Sequence, residues 1–188
     1  MSTLSRKTRV WLVILAVAAF FGIVHGVHRS LDRQMAEQET QPQPTLTSGM
    51  NFPAGFDLEN VGTKKAVFSE FRGKVVLINF WAGWCGPCLH EMPGLYSLQK
   101  KLEGRGLVVL GVNMDDDPLV GMKVLRQRVG DAPFPIYKGT GTAFADKFEI
   151  DGLPFTVVVD RNSTIRYARS GEVNWQSPDA VGLIEGLL

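Results

Sequence analysis

Apolar and polar positions divide the 188-residue chain into three stretches. Arg6-Lys7-Thr8-Arg9 precede an apolar run from Val10 to Val24, which His25 and Gly26 interrupt before Val27. Counted to Val27 the run is 18 residues long, about 27 Å as a helix and just enough for a hydrocarbon core of roughly 30 Å. Arg29 to Met50 is polar, rich in Gln, Glu and Thr, with Pro42 and Pro44 spaced as in an extended segment, and reads as a flexible linker. From Asn51 onward the pattern is that of a folded domain. The expected organisation is a signal anchor over residues 1–28, a linker over 29–50 and one domain over 51–188.

Within the domain, Phe52, Phe56 and Leu58, the turn Glu59-Asn60-Val61-Gly62 and then Ala66-Val67-Phe68 predict a short hairpin ahead of the core. Ser69 to Phe71 reads as a brief helical turn. Val75-Val76-Leu77-Ile78 continues through Asn79 to Phe80 and Trp81 between Gly73 and Gly83, and predicts a buried strand. A helix from Gly86 to about Gly104 follows, with Leu89, Met92, Leu95, Leu98 and Leu102 on one face and Pro93 expected to kink it. Leu107 to Val112 predicts a second buried strand. Asp115-Asp116-Asp117-Pro118 opens a helix through about Val129, its acids read as solvated caps near the positive end of the dipole. Phe134 to Tyr137 predicts a short strand, Thr142 to Phe148 a short helix, and Phe155 to Asp160 with Thr164 to Ala168 a hairpin turned by Arg161-Asn162-Ser163. A last helix spans Ser177 to Leu188. Alternating strands and helices that give way to a hairpin imply an α/β domain with a mixed central sheet and helices on both faces.

Charge changes the picture at two places. From Asn51 onward 15 Lys or Arg stand against 16 Asp or Glu with no basic run, so nucleic-acid binding is set aside. Basic residues ahead of Val10 keep the N-terminus in the cytoplasm and send the remainder outward. A retained anchor and a cleaved signal peptide both fit that orientation. His25, His28 and Arg29 are poor company for a cleavage site, which favours the anchor.

The two cysteines, Cys85 and Cys88, lie where the first buried strand ends and a helix begins. Unpaired N–H groups and the positive dipole end of a first helical turn stabilise a thiolate and lower its pKa. Cys85, the more N-terminal, is the expected nucleophile, and Cys88, one turn deeper, is placed to close a disulfide with it. A static disulfide and half of a zinc clip are the other readings. Zinc needs two further ligands, and no second cysteine pair exists. Haem attachment needs His directly after the second cysteine, where Leu89 stands. No cofactor beyond a redox-active Cys85–Cys88 pair is expected. Trp84 is expected as an exposed ring flanking the site, Trp81 as core and His90 as a solvated helix residue.

Phe80-Trp81-Ala82-Gly83-Trp84-Cys85-Gly86-Pro87-Cys88, together with Gly152-Leu153-Pro154-Phe155-Thr156, resembles the thioredoxin superfamily. The anchored architecture, Asn79, Glu91-Met92-Pro93 and the early hairpin resemble its TlpA/ResA branch of membrane-tethered thiol-disulfide oxidoreductases. The resemblance implies a thioredoxin fold with an extra N-terminal β-hairpin, and Pro154 as a cis-proline beside the cysteines. It also implies that Trp84, Gly86, Pro87, Leu153 and Pro154 meet substrate, with the Leu153 backbone offered to an extended segment. Glu91, three residues after Cys88 on the same helix, becomes a proton acceptor or field source for Cys88. Thioredoxin itself uses a buried aspartate of the central strand, and Asn79 occupies the matching place here.

Gly86-Pro87 resembles thioredoxin's own pair, the reducing end of a scale on which thioredoxin and DsbA differ by about 150 mV, roughly 7 kcal/mol for two electrons. The implied function is reduction of protein disulfides on the periplasmic or outer side of a bacterial cytoplasmic membrane, restocked by a membrane electron donor of CcdA/DsbD type. A role in cytochrome c biogenesis belongs to the same branch, although the dedicated apocytochrome reductases carry an acid directly after the cis-proline, where this chain has Phe155. The alternatives are a thiol oxidase or isomerase, and a copper-handling or peptide-binding module without turnover.

Overall fold

The computed structural model describes residues 20–26, 29, 49, 51–52, 57–61, 65–139 and 150–188, with backbone alone for 57–60 and 65–67. The chain forms two compact units, Met1–Pro42 and Gln43–Leu188. In the first, residues 20–26 are helical and their Phe20 and Phe21 side chains are exposed. Most of the Val10–Val27 run and of the 29–50 linker lies outside the described residues. No helix among the described residues is long and apolar enough to cross a membrane.

In the second unit the strands are β1 (Asp57–Asn60), β2 (Lys65–Val67), β3 (Val75–Trp81), β4 (Leu107–Asn113), β5 (Ile136–Lys138), β6 (Phe155–Val159) and β7 (Ile165–Ser170). The helices are α1 (Gly86–Leu102), α2 (Pro118–Arg128) and α3 (Pro178–Glu185), and Phe68–Phe71 makes a 3-10 turn. The strands join one mixed sheet in the order β2-β1-β5-β4-β3-β6-β7. β3 and β5 lie parallel to β4, while β6 is antiparallel to β3 and to β7. The β1–β2 hairpin extends the sheet edge, because β1 pairs antiparallel with β5. Phe52 belongs elsewhere: its N–H reaches the Ser163 carbonyl at 2.6 Å and its ring lies 3.9 Å from that of Phe68.

β3 explains why its sequence is an unbroken apolar run. Val75, Leu77 and Trp81 face one buried cluster and Val76, Ile78 and Phe80 face the other, as the two-residue period of a strand covered on both sides requires. The first cluster takes Met92, Leu95, Leu98 and Leu102 of α1, Leu125 of α2 and Ala180 and Ile184 of α3. All three described helices therefore cover one face. Phe52, Phe68 and the half-buried Phe71 cover part of the other, and the helix expected over Thr142 to Phe148 lies outside the described residues.

Several boundaries differ from expectation, among them the last helix, which ends at Glu185. β5 starts at Ile136 because Pro135 has no N–H for a ladder, although its carbonyl accepts from the Gly111 N–H at 3.0 Å. α1 runs through Pro93 and ends at Leu102, where a 3-10 turn leads to Gly106 at φ 105°. α2 stops at Arg128. At α3 the Ser177 hydroxyl accepts the Ala180 N–H at 3.2 Å and Pro178 opens the helix. Ser177→Ala is expected to lower stability to urea by about 1 kcal/mol; an unchanged unfolding midpoint would show that the cap contributes nothing.

Candidate active site

β3 ends at the fully buried Trp81, and the Cys85 N–H donates to the Ala82 carbonyl at 3.1 Å, turning the chain into α1. Cys85 is the cap of that helix: its Sγ accepts the Cys88 N–H at 3.3 Å. Pro87 stands in the first turn, where a missing N–H costs nothing. Cys85 and Cys88 form a disulfide with Cα atoms 5.3 Å apart. Cys85 retains 5% exposure and Cys88 none, so an incoming sulfur meets Cys85. On reduction, the helix N-terminus stabilises negative charge on Cys85 Sγ.

Three residues after Cys88 on α1, Glu91 is 4% exposed. Its Oε1 accepts the Asn79 amide at 2.6 Å and its Oε2 accepts the Val173 N–H at 2.9 Å. Asn79 also donates to the Thr156 hydroxyl at 3.1 Å, and Asn79 and Thr156 are cross-strand partners on β3 and β6. Burial pushes the Glu91 carboxyl up to about 7, while the Val173 N–H and the Asn79 amide pull the other way. The Trp175 indole N–H lowers it further without completing a hydrogen bond. A helix acid is driven this far because the segment around Val173 and Trp175 closes over α1 at Gly94, where a side-chain Cβ would come within 3.3 Å of the Trp175 Cβ. Val173 and Trp175 escaped the sequence reading, as did the role of Thr156, which stood in the motif without one; the small Gly94 inside an amphipathic helix was the one local sign of a close neighbour.

The remaining predicted residues fall around the disulfide in different ways. The Leu153–Pro154 peptide bond is cis. Phe80 pairs with Phe155, so the antiparallel register sets Pro154 beside the end of β3 that leads to the cysteines. The Pro154 carbonyl accepts the Gly171 N–H at 2.8 Å, and the half-buried Leu153 packs on both core clusters. Trp84 is 72% exposed, and Gly86 and Pro87 are exposed with it. His90 is solvent-exposed and pairs with Glu172 through Nδ1.

The aspartate run differs from the expected set of solvated caps. Asp117 does cap α2, accepting the Leu119 N–H at 2.9 Å, and Asp116 is exposed. Asp115 is buried. Its Oδ2 accepts the Gly83 N–H and the Asn113 amide, each at 2.8 Å, and its own N–H donates to Asn113 Oδ1 at 3.1 Å. A backbone donor two residues before Cys85 drew this carboxylate inward, which no local helix rule anticipates.

A disulfide capping a helix, a cis-proline at the neighbouring strand and a buried acid on the same helix define a thioredoxin-fold thiol-disulfide oxidoreductase. A family model described as Redoxin matches residues 47–184, and the chain belongs to that family. It is 31% identical over 170 residues to the thiol:disulfide interchange protein DsbE of Pseudomonas fluorescens biotype C, covering 88% of this chain and 89% of the relative. The thiol-disulfide oxidoreductase ResA of a Bacillus cereus strain is 26% identical over 154 residues, 82% of this chain and 80% of its own. The fold matches the crystal structure of a thiol:disulfide interchange protein from Chlorobium tepidum TLS with a TM-score of 0.63 at 22% identity, over 74% of this chain and 98% of that one.

Proposed function

We propose that the protein reduces protein disulfides outside the cytoplasmic membrane of a bacterial cell, tethered there by its N-terminal apolar run. The observation that carries the exchange chemistry is the nearly buried Cys85–Cys88 disulfide at the start of α1, with the buried, raised Glu91 carboxyl on the same helix. In the reduced protein the Cys85 thiolate attacks one sulfur of a substrate disulfide. The substrate S–S bond breaks, one substrate thiolate leaves and a mixed disulfide forms. Glu91 takes the proton from Cys88, whose thiolate then attacks Cys85 Sγ and displaces the second substrate thiolate. Two electrons pass from the protein dithiol to the substrate, and the Cys85–Cys88 disulfide is restored.

Gly86-Pro87 between the cysteines supports the reducing direction. The basic residues ahead of Val10 support the outward orientation. Restocking the dithiol in an oxidising compartment needs an outside reductant, and a membrane electron donor of CcdA/DsbD type has the required chemistry. A part in cytochrome c biogenesis is the finer reading, and Phe155 after Pro154 argues against a dedicated apocytochrome reductase.

The direct test is the equilibrium reduction potential of the full-length chain in thiol-disulfide buffers. We expect a value near the thioredoxin end of the scale, about −270 mV. A value near about −120 mV, the DsbA end, would overturn the direction and make the protein an oxidant.

A further inference from the structure

Among the described residues of the Gln43–Leu188 unit, three large apolar side chains are markedly exposed: Trp84 at 72%, Leu119 at 67% and Val120 at 56%. They are not scattered. Trp84 and Val120 line one pocket of about 400 Å³ with Met114, Asp115, Asp116 and Asp117, and Leu119 adjoins Val120 at the start of α2. Trp84, which immediately precedes Cys85, places one wall of the pocket next in sequence to the reactive cysteine. Large apolar side chains gathered in water at one place beside a nucleophile mark a surface that another chain covers.

The pocket is held open by the chain's own contacts. Asp115 ties the Gly83 N–H to the Asn113 amide, which fixes the wall that carries Trp84. The opposite wall, α2, packs against Asp115 through Gly121. With Asp115 engaged below and Asp117 capping α2 through the Leu119 N–H, the exposed Asp116 brings negative charge to the mouth. Among the described residues no Lys or Arg lines the pocket. An apolar pocket with an acidic mouth is complementary to an aliphatic side chain that has a cation next to it.

We infer that this pocket selects substrate: it receives, from an extended segment of a protein disulfide, an aliphatic side chain close to the attacked cysteine, while a neighbouring Lys or Arg meets Asp116. The inference rests on the thiol-disulfide exchange reading and adds the class of segment preferred.

The probes are four octapeptides, each with one cysteine joined by a disulfide to 5-thio-2-nitrobenzoate, pairing Leu or Ser with Lys or Glu beside the cysteine. The Cys85 thiolate attacks the peptide sulfur, and thionitrobenzoate leaves with the bonding electron pair. The Cys88 thiolate then releases the peptide thiolate and restores the protein disulfide. The protein dithiol is thereby oxidised by two electrons, and each probe is reduced to two thiols. Thionitrobenzoate release by the reduced full-length chain is followed by absorbance. At low ionic strength the Leu/Lys peptide is expected to react about five-fold faster than Leu/Glu, and the ratio to shrink toward one in about 1 M salt. Asp116→Lys should reverse that order, and Val120→Ser should erase the advantage of Leu over Ser. Each test is a ratio within one protein, so a general loss of activity cannot imitate it. Equal rates for Leu/Lys and Leu/Glu in the unaltered protein, or a ratio that Asp116→Lys leaves in place, would overturn the inference. No release from any of the four peptides would instead overturn the exchange reading itself.

Discussion

Glu91→Gln is expected to flatten two pH profiles at once. In the oxidised protein the carboxyl is raised from its ordinary 4.5 to about 7, with burial as the main cause. The folded state therefore holds this proton more tightly than the unfolded chain. The stability that follows is fully present below about pH 4.5 and is lost as pH rises through about 7, a change of about 3 kcal/mol. Gln cannot titrate, so the difference in unfolding free energy between the unaltered protein and the variant should change by that amount between pH 4.5 and 8. The second profile is kinetic. With Glu91 as proton acceptor, release of substrate from the mixed disulfide should accelerate as pH passes 7. In the variant the acceleration should wait for the thiol's own range near about 8.5, which slows release at pH 7 by about ten-fold or more. Unfolding and release curves that run parallel for the two proteins across this range would remove Glu91 from both roles. Asn79 suits either state of the acid: its Nδ2 donates to the carboxylate, and its buried Oδ1 finds no partner among the described residues, so a turned amide would accept from the protonated form.

Gly121→Ala is expected to destabilise the fold by about 2–4 kcal/mol in denaturant unfolding, against the helix propensity that favours Ala by about 1 kcal/mol. A Cβ at Gly121 would sit 2.0 Å from Asp115 Oδ2 and 2.4 Å from Asn113 Nδ2. The carboxylate would have to leave the Gly83 N–H and the Asn113 amide, stranding buried donors. Gly182→Ala in α3 is the control, because nothing lies within 4 Å of its added Cβ; there the same substitution should stabilise by about 0.5–1 kcal/mol. If both variants move the midpoint in the same direction, the Asp115 cluster does not constrain α2.

The two predictions mark where local reading stops. Glu91 was visible as an acid one turn from Cys88, because helical spacing alone sets that direction. Its burial was not, since the Val173 N–H that holds it lies 82 positions further along the chain. Asp117 followed the capping rule, whereas Asp115, two residues earlier, answered to Gly83, 32 positions away. The exposed Trp84 was legible because it precedes a helix at the outer end of a strand. The pocket it shares with Val120 was not, because α2 enters the sequence only after β4.

By itself the sequence determined the chemistry: a cysteine pair at a strand-to-helix junction, an apolar β3 that reads as buried, and helix starts marked by Pro87 and Pro118. These depend on residue type and short spacing, which survive any folding context. Only the tertiary structure decided how the groups are tuned. A carboxyl's proton affinity depends on the water it has lost and the donors it has met, and a pocket exists only where distant elements pack with a gap between them. Both are properties of contacts between segments far apart in the chain, and folding alone brings those segments together.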